Sequence, residues 1–206
     1  MKRLALMLVM ALMALAGCST APSPAASKPA PKAPAPPAYE TGRVAFQRMY
    51  AAARLWAPDA MGISIASEFQ KGAPVDKGQE SFWSASFASP NRRQMKPFTW
   101  TGFGKESERG VSSSHEDDWS PANTSTMTFD VNYLKIDSDK AFQVAQEHGG
   151  KALTAKDPSQ PVNFSCDWNP RVRKLVWHVI YGTNPEDTKL RVSVDATTGE
   201  FIRVEK

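Results

Sequence analysis

The chain has 206 residues, with 25 Lys and Arg against 21 Asp and Glu, and only two Cys. That length holds one medium domain or two small ones, and two cysteines make neither a disulfide framework nor a closed zinc site. The formal charge of +4 invites nucleic acid as a partner, but Lys2, Arg3, Lys28 and Lys32 all precede Tyr39, and without them the remainder balances at 21 basic and 21 acidic residues. The surplus of positive charge is therefore no argument for nucleic-acid binding.

Met1-Lys2-Arg3 is a short basic start, and Leu4 to Ala16 is an uninterrupted apolar run. Such a run has the length of a signal-peptide core and is short for a bilayer span. It leads into Leu15-Ala16-Gly17-Cys18. Basic start, apolar core, small residues and cysteine in this order resemble the lipobox leader of bacterial lipoproteins. The resemblance implies removal of residues 1–17, diacylglycerol on the Cys18 sulfur, acylation of its new amino group by a palmitate-like chain, and contact with membrane lipid through Cys18. Ser19 in place of Asp resembles the pattern of lipoproteins exported to the outer membrane, facing the periplasm.

Residues 18–38 then form the lipidated Cys and a tether. From Thr20 to Ala38 the chain has seven Pro and no aliphatic larger than Ala. It cannot bury enough apolar surface to offset its chain entropy. Its Pro density favours an extended spacer of about 3.1 Å per residue.

A first αβ repeat with a polar loop is expected over residues 39–126. Thr41 is a plausible N-cap, and Val44, Phe46, Met49, Tyr50, Ala53, Leu55 and Trp56 follow at helical spacing until Pro58. Ala60 to Phe69, Glu80 to Ala88 and Met95 to Phe103 read as strands, the last with Pro97 marking an edge or a bulge. Gly104 to Ser125 is a polar excursion. Met127 to Ile136 alternates and reads as the last strand of the first repeat or as a bridge between the two repeats.

A second repeat is expected over 127–206. Asp137-Ser138 starts a helix that stops at Gly149-Gly150. Val162 to Trp168, Lys174 to Tyr181, Lys189 to Val194 and Glu200 to Val204 read as strands, the last two joined by the turn Asp195 to Gly199. Ala45-Phe46-Gln47 recurs as Ala141-Phe142-Gln143, offset by 96 residues, and the pattern around Trp83 recurs around Trp177, offset by 94. Two features in one order at nearly one offset point to an internal duplication.

The acidic-capped helix at Asp137 to Ala141, the strand Trp177-His178-Val179-Ile180-Tyr181 and the hairpin Val194-Asp195-Ala196-Thr197-Thr198-Gly199 resemble a PepSY domain. The resemblance covers Asp137 to Glu205; the first repeat looks like a degenerate copy with Thr99-Trp100-Thr101-Gly102 in place of the hairpin. It implies an α+β unit, one helix on an antiparallel sheet, used in envelope proteins for binding or for regulating peptidases. The tandem is also similar in architecture to the β-lactamase-inhibitory proteins, a likeness that carries no partner with it.

Catalytic constellations are missing from the sequence. No nucleophile elbow, Ser-x-x-Lys motif, zinc-binding helix or phosphate loop occurs. His115-Glu116-Asp117-Asp118 has metal-ligand atoms, but their spacing is wrong for a calcium loop and they read as a solvated acidic stretch. Cys166, between Phe164 and Trp168 on one strand face, reads as a buried hydrophobe. His148 suits a helix C-terminus. Trp83 and Trp177 read as core. Trp119, in the polar excursion, and His178, facing away from Trp177, are the candidate partner contacts. No cofactor, metal or catalytic residue is expected. The function expected is binding of an envelope protein or peptide by a non-enzymatic, lipid-anchored module. A structural subunit of a surface complex and an envelope hydrolase with a spatially assembled site are the alternatives.

Overall fold

The computed structural model describes residues 36–68, 78–184 and 186–205, so the leader, Cys18 and most of the tether lie outside the described residues. A two-residue strand, β1 (Glu40–Thr41), leads into helix α1 (Gly42–Trp56). The helix forms because Ala45, Phe46, Met49 and Ala53 recur at helical spacing and all enter the core. It ends at Ala57, which is extended, as the residue before Pro58 prefers to be.

Strands β2 (Met61–Ser67), β3 (Gln79–Glu80), β4 (Phe82–Ser89), β5 (Gln94–Thr101), β6 (Gly110–Ser113) and β7 (Asp117–Asp118) follow. The second half begins with helices α2 (Ser138–Ala145) and α3 (Lys151–Lys156). It continues with β8 (Val162–Asn169), β9 (Lys174–Tyr181), β10 (Leu190–Asp195) and β11 (Phe201–Val204). The fold is α+β, and apart from the small β1–β3 pair all strands join one antiparallel sheet of nine, ordered β11-β10-β9-β8-β2-β4-β5-β6, with β7 also on β5.

The two halves meet in the middle of this sheet, where β2 pairs with β8 through Ser64–Asp167, Ile65–Cys166 and Ala66–Ser165. From that seam each half runs outward in chain order: β2, β4, β5, β6 on one side and β8, β9, β10, β11 on the other. By the two-residue period of strands, one face carries Ile65, Trp83, Ala85, Phe87, Phe164, Cys166, Trp177 and Val179, all in a single core cluster with α1 and α2. The indoles occupy matching places. Trp83 Nε1 donates to the Glu40 carbonyl at 2.9 Å and Trp177 Nε1 to the Ile136 carbonyl at 2.9 Å, and the two rings meet edge-on with centroids 6.4 Å apart.

Above these rings the helix N-termini come together. Thr41 holds the N-cap position of α1 but caps nothing with its own side chain; its hydroxyl donates to Asp137 Oδ2 at 2.7 Å. Asp137 instead accepts from both helix starts, Ser138 N at 2.7 Å and Arg43 N at 2.8 Å. Gly42 N donates to Ser138 Oγ at 2.7 Å. A Cβ on Gly42 would lie 2.6 Å from the Trp177 ring and 2.9 Å from Trp83, so only glycine lets the helix start this close to the indole pair.

Two expectations are corrected. Met127 to Ile136 is no strand: Phe129 makes one bridge to Gly62, and residues Val131–Tyr133 form a short turn started by Asp130. Alternation cannot make a strand here because β4 and β8 already flank β2. The helix from Ser138 ends at the glycines as expected: His148 (φ −108, ψ 37) and Gly149 (φ 112) leave the helical region, and a separate helix, α3, follows. The polar excursion is not all loop, since β6 and β7 extend the sheet on β5. Pro97 sits between their pairing segments, where its missing N–H is no loss, and its carbonyl accepts from Ser114 N at 3.1 Å.

Candidate binding face

Helices pack on one face of the sheet, and the opposite face is the candidate site. Cross-strand register lays out its composition. Along one transverse row Ser112, Thr99, Ser84 and Ala66 are successive neighbours on β6, β5, β4 and β2. The row continues through Ser165, His178, Ser193 and Arg203 on β8 to β11. A parallel row reads Pro97, Ser86, Ser64 and Asp167. The central side chains Ser64, Ala66, Ser84, Ser86, Ser165 and Asp167 are all half-buried, and no described helix lies over them. Apart from the Asp167 carboxyl, this sheet centre is made of hydroxyls and a methyl, which is flat and lets another backbone come close.

Two denser banks flank this smooth centre. On the first-repeat side Trp119 packs with Ile63, Ala88 and Met95. The β2 bulge between Gly62 and Ser64 is what turns Ile63 onto this face. Trp119 is only 6% exposed, its Nε1 donates to the Thr126 carbonyl at 3.0 Å, and its main-chain N donates to Arg93 O at 2.9 Å. The expectation of a presented contact residue at Trp119 is therefore corrected: the ring closes a small apolar cluster.

His178 is corrected in the same sense. It is 3% exposed and lies in a polar network at the other bank. Its Nδ1 is 3.2 Å from Ser193 Oγ and 3.5 Å from Glu205. Ser193 Oγ donates to Glu205 Oε1 at 2.7 Å, and Arg191 and Arg203 pair with the same carboxylate at 2.8 and 3.1 Å. Burial, then the Arg191 charge, lowers the His178 pKa to about 4, so the ring is neutral near pH 7. Burial pulls the Glu205 carboxyl up, but the Ser193 hydrogen bond and the neighbouring cations hold it below its ordinary value. Asp167 is pushed up by burial. Serine, histidine and glutamate are the residue types of an acyl-transfer triad; here Ser193 Oγ donates to Glu205 Oε1 at 2.7 Å and lies 3.2 Å from His178 Nδ1. The network ties the tail after β11 to β9 and β10.

The remaining sequence candidates fall elsewhere. Glu116 of the acidic stretch accepts from Trp56 Nε1 at 2.8 Å and pairs with Arg92 at 3.0 Å and Lys96 at 3.4 Å. The Arg92 guanidinium lies 5.1 Å from the centre of the Trp56 ring. This stretch fastens the β6–β7 segment to the end of α1, and no group of three metal-ligating residues occurs among the described residues. His148 stacks on Phe201, with centroids 3.6 Å apart and planes 9° from parallel. Cys166 is fully buried and burial raises its thiol pKa well above the ordinary value, so it stays protonated.

The serine-lined centre was half legible: alternation placed Ser84 and Ser86 opposite Trp83 and Phe87. That Ser165 and Asp167 continue the same surface needed the β2–β8 seam, which no local pattern announces.

No known protein family matches the chain, and no curated protein does. Among solved structures, a protein of Clostridium difficile 630 that carries the provisional description of lipoprotein aligns with it at a TM-score of 0.49 and 12% identity, over 81% of this chain and 95% of that one. A likeness of that size carries no argument about what this chain does.

Proposed function

We propose that this is a lipid-anchored protein of the bacterial envelope that binds a protein or peptide on the helix-free face of its sheet. The observation that carries this reading is the centre of that face, over which no described helix lies, built from Ser64, Ala66, Ser84, Ser86 and Ser165 across the seam of the two halves. Antiparallel sheets often leave one face to water. What favours binding is the setting, small hydroxyl side chains between an apolar bank at Trp119 and a charged bank at Arg191, Arg203 and Glu205.

The same reading makes the halves degenerate PepSY-like repeats, 39–126 and 127–206, arranged as in the β-lactamase-inhibitory proteins. In support, each half supplies a run of four neighbouring strands to the main sheet, β2, β4, β5 and β6 in one and β8 to β11 in the other, and its Trp hydrogen-bonds the carbonyl two residues ahead of its own first helix. A peptidase-regulating or inhibitory role follows from that likeness. The anchor rests on the leader and Cys18. Cys18→Ser is expected to release the protein from membranes and to abolish labelling by palmitate.

The binding face is tested with tagged full-length protein recovered from detergent-solubilised host membranes. A partner at fixed stoichiometry should accompany the wild type and the Leu55→Arg variant, whose substitution lies on the helix side where Leu55 is 91% exposed. It should be lost from Ser84→Arg/Ser165→Arg. Retention by the double variant overturns the reading.

A further inference from the structure

The two halves differ at one matched place on the helix-free face. In the first half Trp119 covers Ile63, Ala88 and Met95. At the offset of 94 residues that superposes Trp83 on Trp177, Ala88 corresponds to Gly182, Ser86 to Ile180 and Pro97 to Arg191. The pairing agrees: Ser86 faces Pro97 and Ile180 faces Arg191. No described ring covers this second place. Instead there is a cavity of about 690 Å³ lined by Asn163, Ile180, Gly182, Thr183, Thr188 and Arg191, with Glu68 and Glu205 on its wall. Its size falls in the range of ligand sites.

The cavity is built into the fold. Pairing of β2 with β8 ends at Ala66–Ser165, and beyond it Ser67 Oγ takes the hydrogen bond of Phe164 N at 2.9 Å, so the strands part. Asp187 fixes the opposite wall by accepting from Thr183 N, Thr183 Oγ1 and Asn184 N at 2.8, 2.5 and 2.9 Å. Thr188 Oγ1 donates to Asn184 O at 2.8 Å and Asn163 Nδ2 to Gly182 O at 2.7 Å, so the lining donors are largely spent within the protein. Of the charged lining groups, Arg191 and Glu205 pair with each other, and Arg203 and Ser193 also engage Glu205, so Glu68 is the one that makes no ion pair among the described residues. A pocket with an apolar floor at Ile180 and the Glu68 carboxylate on its wall suits a ring carried beside a positive charge.

We infer that this cavity is the anchoring pocket of the binding face and takes an aromatic side chain of the partner, presented next to a lysine or arginine, in the place Trp119 fills in the first half. The inference rests on the reading that this face meets a protein or peptide. It names what the partner inserts there.

The test uses the full-length protein in detergent micelles, isotope-labelled for amide chemical shifts, and three blocked dipeptides: Ac-Trp-Lys-NH2, Ac-Trp-Glu-NH2 and Ac-Ala-Lys-NH2. The first should shift Ile180, Thr183 and Arg191 saturably, the second should bind at least about fivefold more weakly, and the third should leave them unmoved. Thr188→Trp, which fills the pocket from its rim, should abolish the response while Ile63 and Ala88 signals stay in place as the check on folding. If Thr188→Trp does not fold, the ranking of the three dipeptides on the wild type decides. No saturable shift, shifts confined to other residues, equal affinity for the Glu dipeptide, or a response to the Ala dipeptide each overturns the inference. Loss of the partner from Ser84→Arg/Ser165→Arg without dipeptide binding refutes the pocket alone. Dipeptide binding with no partner lost refutes the face alone.

Discussion

His178 and Glu80 are both buried ionisable groups, and their effects on stability run in opposite directions with pH. The His178 pKa falls from 6.5 in the open chain to about 4 in the fold, because burial and Arg191 oppose the charged ring. The unfolded chain then binds the proton more tightly. His178 favours the fold fully above pH 6.5, and that advantage is lost as pH falls toward 4. Its neighbours Ser193, Glu205, Arg191 and Arg203 all belong to β10 and the chain end around β11. His178→Gln should flatten this acid limb, worth about 2 kcal/mol, in urea unfolding run from pH 7 to pH 4. Glu80 is raised from 4.5 to about 8 by burial alone, so its cost appears as pH rises through that window. Glu80→Gln should raise the melting temperature at pH 8 and leave it unchanged at pH 4. Such burial was legible for Trp83, Trp177 and Cys166, each on an alternating strand. It was illegible for Trp119 and His178, because the residues that enclose them come from other strands: Ile63, Ala88 and Met95 around one, Arg191 and Glu205 around the other.

At the scale of elements, the junction of the two helix starts concentrates stability in a few groups. Asp137 serves Thr41, Arg43 and Ser138 together. Asp137→Ala should therefore cost about 2–4 kcal/mol in urea unfolding, more than the usual single cap. Asp130→Ala, which removes one exposed bond to Asn132 N, should cost well under that. Gly42→Ala should cost about 1–3 kcal/mol, since the new methyl must displace the Trp83 and Trp177 rings. Asp137 was readable as the cap of its own helix by its position before Ser138. Its second duty to α1 was not, because the contact spans 94 residues. The eight-residue strands β4, β5, β8 and β9 were all legible in the sequence, β9 from a nearly continuous apolar run, and both four-residue turns that join them end in an arginine at φ 54, Arg93 and Arg173. β6 and β7 escaped notice because edge strands in a polar segment carry no apolar period: Val111 is the one apolar residue between Gly110 and Asp118.

At the scale of the molecule, the repeated pattern around Phe46 and Phe142 and around the two tryptophans foresaw two helix-plus-sheet halves. It could not foresee that they share one sheet through β2 and β8, and that sharing is what creates a wide helix-free face. On this account the lipid and the spacer position the face, the serines admit the partner and the cavity beside Ile180 anchors it. The most direct test is photo-crosslinking in living cells, with a photoreactive residue placed singly at Ser84, Ser165 or Leu55 of the full-length protein. The account predicts one discrete adduct of the same mass from Ser84 and Ser165 and none from Leu55. Adducts from Leu55 with none from either serine would contradict it.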